Sequence, residues 1–318
     1  MAESMTKFQR AVGRNLVYMT RWIVGRLPYS VYRVLANFFL LFSKLVMYRK
    51  RHIAWQNLKC AFGRSKSDAE LKVIARRYFQ NFGKGLVDLI YYADHQHLTD
   101  ENVRIEGREH LDKALAQGNG VILTGGHFGN FILMYHKLAR MGYKTNVIMR
   151  RMRDEALEQY ITEMRQEIGV RTVYDLPPKK CVVESLKVLR RNEILIILLD
   201  QNYGSAGRVF VDFFGRQAAT ASGPVVFSLR TKAPILPIFC LGDAGEMRHK
   251  IVIEPELELE AGKDEQDTIQ RNVARITKII ESYVVRYPHE WGGWIHKRWK
   301  SKPAAEQEII DRLKESPR

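Results

Sequence analysis

The sequence predicts an α/β fold with a mixed, mostly parallel central sheet flanked by helices and preceded by an N-terminal helical leader. Three observations indicate this. From about residue 102, short β-rich runs alternate with helical segments, an order typical of a sheet covered by helices. Residues 194–199 are consecutive apolar residues, as in a buried strand. No Gly/Ser-rich or Pro-rich linker divides the 318 residues, so we expect one domain after the leader.

The N-terminal segment is strongly basic. Residues 1–51 contain ten Lys or Arg and one acidic residue, in a chain whose formal net charge is +16. The longest apolar run there, residues 34–43, has about half of the roughly 20 residues that a membrane-spanning helix needs. We therefore favour helices that lie in the surface of an anionic membrane; amphipathic helices packed on the body are the alternative. We predict a membrane-associating leader over 1–60, an α/β domain over 61–305 and a polar tail over 306–318.

Hydrophobic periodicity places the helices and strands in order. Residues 49–63 form a predicted amphipathic helix, and Ser67 and Asp68 cap a long helix whose apolar residues recur every three or four positions. The later strands are predicted at 121–124, 146–149, 194–199, 235–241 and 249–253, and the later helices at 130–140, 154–168, 182–191, 222–232 and 266–286.

Because sheets of this kind carry their chemistry in the loops at strand ends, polar residues after the strands are the first candidates for a site.

Composition excludes two function classes. Cys60, Cys181 and Cys240 are far apart, and no CxxC or Cys/His spacing is present, so we expect reduced thiols and no metal site. The positive charge would permit nucleic-acid binding. However, the charge excess lies beside apolar N-terminal runs, and no nucleic-acid module is present. We therefore predict no nucleic-acid partner.

The segment TGGHFGNF, residues 124–131, follows a predicted strand. Gly125 and Gly126 allow a sharp turn and a close approach to a ligand. His127 has the chemistry of a general base near neutral pH. A structural histidine is the alternative interpretation.

Polar residues follow two further strands. The DQN cluster at 200–202 follows the apolar run 194–199 and is out of place there unless it lines a site; an Asx-type turn is the alternative. Arg150 and Arg151 also follow a strand, where guanidinium groups suit phosphate binding; a solvated helix start is the alternative.

Two aromatic segments complete the candidates. Residues 208–216, with Thr220 beyond them, place aromatic side chains around a turn, which suits either an apolar groove or the core. Residues 287–300, YPHEWGGWIHKRWK, are aromatic and basic, a composition that fits a membrane interface or a lipid-headgroup site.

Taken in order, these segments resemble the bacterial lipid A late acyltransferases, the lauroyl- and myristoyl-type members of the lysophospholipid acyltransferase superfamily. The resemblance spans about residues 48–300. It implies transfer of a fatty acyl chain from acyl carrier protein, or from acyl-CoA, to a hydroxyl of a glycolipid or phospholipid acceptor, in particular a lipid A precursor. It further implies the cytoplasmic face of the bacterial inner membrane and no cofactor. The matching segments are NLKCAFG, RRYFQNFGKGLVDLIYY, TGGHFGNF, LLDQNYG, VFVDFFGRQAAT and YPHEWGGWIHKRWK.

The resemblance also implies residue roles. His127 would take the proton of the acceptor hydroxyl, and backbone amides and nearby cations would stabilise the oxyanion. Arg150, Arg151 and Arg165 would hold phosphates of the acceptor or of the donor's phosphopantetheine. The other residues that the matched motifs nominate for substrate binding are Gly126, Asn130, Gln201, Asp212, Phe214 and Thr220.

The sequence departs from the family motif at one position. The motif is a histidine, four residues and a carboxylate, but Ile132 stands where glutamate is expected. Either another carboxylate orients His127, with Asp200 the best candidate and Asp212 the second, or the chain is a catalytically impaired lipid-binding member. The missing carboxylate also leaves open an acceptor of another kind, such as a lysophospholipid, a lipoamino acid or a mannosyl lipid.

Overall fold

The computed structural model describes residues 48–304, except 153 and 243–247, together with scattered positions between 11 and 31. The apolar run at 34–43 and the polar tail predicted over 306–318 lie outside the described residues and stay predictions. Among the residues that are described, no helix is both long enough and apolar enough to span a membrane.

Helix α1, Tyr48–Phe62, is the helix predicted at 49–63. Its residues Ala54, Leu58 and Phe62 are buried in the main hydrophobic core. The last helix of the predicted leader therefore packs on the α/β body rather than standing apart from it.

Helix α2, Asp68–Asp94, begins at the predicted cap. The Ser67 hydroxyl accepts a hydrogen bond from the Glu70 backbone N–H, and the Glu70 carboxylate accepts one from the Ser67 backbone N–H. This reciprocal capping box satisfies two amide groups that the first helical turn leaves without partners.

The remaining helices and strands include all those predicted, together with several short ones that were not. In chain order they are α3 His97–Asn102, β1 Val103–Glu106, α4 Arg108–Leu115, β2 Val121–Gly125, α5 Ile132–Arg140, β3 Thr145–Met149, α6 Glu155–Glu167, β4 Val170–Tyr174, α7 Pro178–Arg190, β5 Ile194–Leu198, β6 Arg208–Phe213, β7 Arg216–Ala221, α8 Gly223–Thr231, β8 Ile235–Gly242, β9 His249–Ile253 and α9 Glu265–Arg286. A 3₁₀ turn, Gly292–Ile295, follows α9.

The central sheet is mixed and mostly parallel. Within the described part of the chain, seven strands pair in the order β1-β9-β8-β2-β5-β3-β4. Every neighbouring pair is parallel except β8 and β9. The predicted fold class is confirmed.

The two central strands, β2 and β5, are covered on both faces. Along β5, Leu195 and Ile197 belong to the core under α1, α8 and α9, whereas Ile194 and Ile196 belong to the core under α4 and α5. Successive side chains of a strand point to opposite faces, so a strand with two buried faces has no polar positions. This explains why residues 194–199 are apolar throughout.

The sequence analysis missed the hairpin of β6 and β7. Its two-residue turn, Phe214-Gly215, has positive φ at both positions, 54° and 71°. Such a turn suits the twist of paired strands and usually carries Asn-Gly or Asp-Gly. A phenylalanine with positive φ is uncommon, so the segment lacked the usual hairpin signal. The short strands β1 and β4 and the short helices α3 and α4 were missed as well.

We expect Asn57→Ala to lower the free energy of unfolding. The buried Asn57 amide donates hydrogen bonds of 2.7 Å to the carbonyl oxygens of both Trp294 and His296. Removing it leaves two partly buried carbonyl groups without this donor, at a cost of about 1–3 kcal/mol. Urea unfolding would measure the change. The exposed neighbour Gln56 provides the control: Gln56→Ala should unfold like the wild type, and equal values for the two variants would contradict the docking of α1.

Candidate active site

His127 and Asp200 meet at the carboxyl edge of the sheet. Strands β2 and β5 are parallel neighbours in which Gly125 lies opposite Leu198. His127 and Asp200 each lie two residues beyond this pair. The His127 ring Nδ1 is 2.6 Å from Asp200 Oδ1, and the His127 backbone N–H donates to Asp200 Oδ2 at 3.0 Å. The strand register therefore sets the spacing of the pair.

Glycine at position 126 makes room for this contact. A Cβ atom there would lie 2.9 Å from the Phe128 ring and 3.2 Å from Asp200 Cγ. Gly125 is equally restricted, since its Cβ would lie 2.1 Å from the Ile238 carbonyl oxygen. The two glycines allow the chain to turn into the site at van der Waals distance, as their sequence pattern indicates.

Asp200 is fully buried yet ionised. Burial by itself raises the pKa of the Asp200 carboxyl, but the charge and hydrogen bonds of His127 and the Trp291 indole N–H lower that pKa to about 2. Hydrogen bonds to the charged form outweigh its desolvation here. With Asp200 accepting at Nδ1, the neutral imidazole carries its proton on that nitrogen, and Nε2 is left to accept a proton.

The segment after α9 supports the His127–Asp200 pair through hydrogen bonds. The Trp291 indole N–H donates to Asp200 Oδ2 at 2.8 Å, and the Gly292 backbone N–H donates to the His127 carbonyl oxygen at 2.6 Å. Trp291 and Trp294 are both 0% exposed. The interpretation of residues 287–300 as a membrane interface is therefore wrong for these tryptophans, which belong to the core and to the support of the site.

Arg298 holds the loop after β5. Its guanidinium group donates to the carbonyl oxygens of Gln201 and Ala219 at 2.8 Å and to the Thr220 hydroxyl at 2.6 Å. Burial lowers the pKa of Arg298 to about 10 while the nearby Asp200 opposes that shift, so the group stays cationic at neutral pH. Arg298 thus fixes the backbone on which Asp200 and Gln201 stand.

A large cavity of about 580 Å³ opens beside His127. Gln201 and Arg150 line it, and the Gln201 side-chain nitrogen lies 3.3 Å from His127 Nε2. Arg150, at the end of β3, is mostly exposed and pairs with Asp175 at 2.9 Å. The rest of the wall is largely apolar, with Ile148, Cys181, Val182, Ile196, Val226 and Phe227 among its residues.

A smaller cavity of about 90 Å³ also borders His127. Asn130, Ile132 and Glu290 line it. The Asn130 side chain donates to the Gly85 carbonyl oxygen at 3.2 Å, which ties the histidine loop to α2. Ile132, the first residue of α5, thus faces a cavity that His127 shares.

The other predicted substrate-binding residues line neither cavity. Asp212 forms a partly exposed ion pair with Lys278 at 2.6 Å. Arg165 is buried and donates to the Thr172 hydroxyl at 2.6 Å, and Arg151 stacks on the Tyr174 ring. Phe214 packs against Phe62 at the hairpin turn, and Thr220 serves Arg298. These residues therefore do not line the cavities beside His127, and their contacts with substrate stay predictions.

Sequence reasoning missed Trp291, Gly292, Glu290 and Arg298. All four lie in or beside the motif YPHEWGGWIHKRWK, which was singled out for its composition. Its periodicity gives no sign that these side chains turn inward. The sequence feature that could have identified them is a glutamate and an arginine interleaved with tryptophans. If the tryptophans are buried, the charged residues between them are buried too and need polar partners. In the described residues, no group of three or more His, Cys, Asp or Glu is placed to hold a metal ion.

The sequence model of the family "Bacterial lipid A biosynthesis acyltransferase" matches residues 3–301. The chain belongs to this family. It is 25% identical over 295 residues to the lipid A biosynthesis palmitoleoyltransferase of Escherichia coli (strain K12), covering 91% of each chain. It is 24% identical over 289 residues to the lipid A biosynthesis lauroyltransferase of the same organism, covering 89% of each. It is also 29% identical over 140 residues, 43% of each chain, to the phosphatidylinositol mannoside acyltransferase of Mycobacterium tuberculosis (strain CDC 1551 / Oshkosh).

As a member of this family the protein is an acyltransferase. Although Ile132 stands at the motif position of the carboxylate, the structure places another carboxylate against His127. Asp200 makes the contact with His127 Nδ1 that an orienting carboxylate makes in a catalytic triad. Asp212, the second candidate, is paired with Lys278 instead.

We expect Asp200→Asn to reduce kcat as severely as His127→Ala does. The asparagine keeps the size of the side chain but stabilises neither the required tautomer nor the imidazolium ion, and the comparable change in a hydrolase triad costs about 10⁴-fold. Initial rates of acyl transfer by the purified variants would measure the loss.

Asp212→Asn is the matched control. It removes a carboxylate whose partner is the exposed Lys278, so its turnover should stay near that of the wild type. Near-normal turnover in Asp200→Asn, or equal losses in both variants, would contradict the assignment.

Proposed function

We propose that this enzyme transfers a fatty acyl chain from the thioester of acyl carrier protein, or of CoA, to a hydroxyl of a glycolipid, most specifically a lipid A precursor. One observation carries the proposal: two cavities, one of about 580 Å³ and one of about 90 Å³, border His127 of the His127–Asp200 pair. Acyl transfer needs both reactants at one base, and this arrangement supplies a separate space for each.

The proton balance follows from the tautomer that Asp200 holds. His127 Nε2 takes the proton of the acceptor hydroxyl as its oxygen attacks the thioester carbonyl carbon. The carbonyl oxygen becomes an oxyanion, for which the Gln201 amide, 3.3 Å from Nε2, is a suitable N–H donor. Collapse of the intermediate breaks the C–S bond, and the leaving thiolate takes the proton back from His127. The products are an ester and a free thiol.

The large cavity suits the acyl donor. Its volume of about 580 Å³ and its aliphatic and aromatic wall match the bulk and polarity of a fatty acyl chain. Arg150 lies at the solvent-exposed side of the wall, where its guanidinium group can bind a phosphate of the phosphopantetheine arm or of the acceptor. The donor carries the acyl group already activated, so the proposed reaction uses no metal or other cofactor.

The acceptor assignment rests on the relatives. Two of those named above act, by their names, in lipid A biosynthesis. The partial match to a phosphatidylinositol mannoside acyltransferase favours a second candidate acceptor, a mannosylated lipid. Both acceptors reside in membranes, and we place the enzyme at the cytoplasmic face of the bacterial inner membrane. The basic residues among positions 1–51 would attract it to anionic lipids.

The proposed reaction is tested with purified full-length protein in detergent. We expect mass spectrometry to show one added acyl chain on an under-acylated lipid A precursor when an acyl carrier protein thioester is supplied. CoA thioesters, a lysophospholipid, a lipoamino acid and a mannosylated lipid complete the panel, with His127→Ala beside each reaction. Product on another acceptor alone would replace the lipid A assignment. No product from any pair, with lipid still co-purifying, would favour the non-catalytic lipid-binding alternative.

Narrowing the large cavity should shift acyl selectivity. Val182 lines it, whereas its neighbour Val183 in α7 is 50% exposed. We expect Val182→Phe to lower kcat/KM for long chains by about tenfold or more relative to chains a few carbons shorter, since each excluded methylene is worth about 1 kcal/mol or more. Competition between acyl donors of different length would measure the ratio.

The control for this change is Val183→Phe, which adds the same ring to the outer face of the helix. It should leave the ratio unchanged. If both variants keep wild-type selectivity, the acyl chain does not occupy the large cavity.

A further inference from the structure

A second buried carboxylate lies at the site and has no part in the mechanism above. Glu290 is 5% exposed and lines the small cavity together with His127 and Ile132. It comes from the segment after α9, more than 150 positions beyond the motif residue that Ile132 replaces. The cavity therefore keeps a carboxylate, but from another part of the chain.

The backbone fixes Glu290 to the histidine loop. Its carbonyl oxygen accepts a hydrogen bond of 2.9 Å from the Gly129 N–H. A Cβ atom on Gly129 would lie 3.1 Å from Glu290 Oε2, so the carboxylate sits directly against the loop that carries His127.

The polar partners of this carboxylate are uncharged amides. Asn81 donates to Oε1 at 2.6 Å, and the Gly242 backbone N–H approaches Oε2 at a long 3.3 Å. His289 Nε2 lies 3.6 Å from Oε1, and burial lowers the pKa of His289. Among the described residues no lysine or arginine forms an ion pair with Glu290.

An ionised carboxylate in such surroundings is costly to bury, because no charged partner offsets its lost hydration. Burial raises the pKa of Glu290 to about 7, against the lowering effect of the Gly242 and Asn81 hydrogen bonds. Strongly shifted groups in a cleft are typical of functional sites. Oε2, with its single long hydrogen bond, retains capacity to accept another.

We propose that Glu290 accepts a hydrogen bond from a second donor group of the acceptor and thereby places the reacting hydroxyl beside His127. This inference rests on the proposed function. The reacting hydroxyl gives its only proton to His127, so Glu290 binds a different group, a neighbouring hydroxyl or amide N–H a few atoms away. Acceptors with such a second donor are favoured over simple alcohols.

A carboxylate swap tests this role. Glu290→Gln keeps the shape and the bond to Asn81, but should lower kcat/KM for the acceptor by about 10²-fold, the loss typical of a misplaced reactant. The double variant Ile132→Glu with Glu290→Gln returns a carboxylate to the same cavity and should recover at least about a tenth of wild-type kcat/KM. A purely structural glutamate would not be rescued from position 132.

The controls separate the two roles. Glu109→Gln changes a glutamate whose side chain is 76% exposed and should leave the rate unchanged, and thermal unfolding checks that every variant is folded. Near-normal activity in Glu290→Gln overturns the proposal. So does a loss that the double variant fails to restore.

If the wild type acylates none of the tested acceptors, which would refute the proposed function alone, a stability cycle tests the premise that positions 132 and 290 share one carboxylate site. Two carboxylates in one small cavity repel each other. Ile132→Glu should therefore lower the melting temperature more in the wild type than in Glu290→Gln. Additive shifts would show that positions 132 and 290 do not share a carboxylate site, and would overturn the inference.

Discussion

The active site depends on the pairing register of β2 and β5. Gly125 opposite Leu198 puts His127 and Asp200 level with each other at the edge of the sheet, and a hydrogen bond of 2.6 Å follows. A slip by one residue would turn every side chain of a strand to the other face. The side chains of β5 alternate between two different cores, so a slip by one residue would exchange all of them between the cores and disrupt the packing of both.

A buried, ionised aspartate in turn constrains the C-terminal segment. Asp200 has no exposed surface of its side chain, so its charge must be met by protein donors. Trp291 and the His127 backbone provide them, and Arg298 fixes the loop behind. Trp291 and Arg298 in the motif at 287–300 are thus explained by the need to bury and satisfy one carboxylate.

The sequence predicts those parts of the structure that are determined by local residue patterns, and it does not predict those that depend on contacts between distant residues. The strand at 194–199 was predictable because burial on both faces leaves no polar position. Helix α2 was predictable from the cap residues Ser67 and Asp68 and the apolar period that follows them. Asp200 was a candidate because a polar cluster ends an apolar strand. The hairpin of β6 and β7 was not predicted, because Phe214 occupies a positive-φ turn position where Asn or Asp is usual. Trp291 and Glu290 were missed because their partners are distant in sequence.

The structure shows which part of the site is changed by having Ile132 in place of the motif glutamate. The Nδ1 side of the imidazole is already occupied by Asp200, so a carboxylate at 132 would not be needed to select the tautomer. Ile132 instead forms part of the small cavity's wall, together with Asn130 and Glu290. In the proposed mechanism two carboxylates with different environments divide the work, as in other acid–base sites: Asp200, with a pKa of about 2, stays ionised beside the histidine, and Glu290, with a pKa of about 7, would bind the acceptor. Under the proposed mechanism, the substitution alters the surface that would meet the acceptor and leaves the contact between Asp200 and His127 intact.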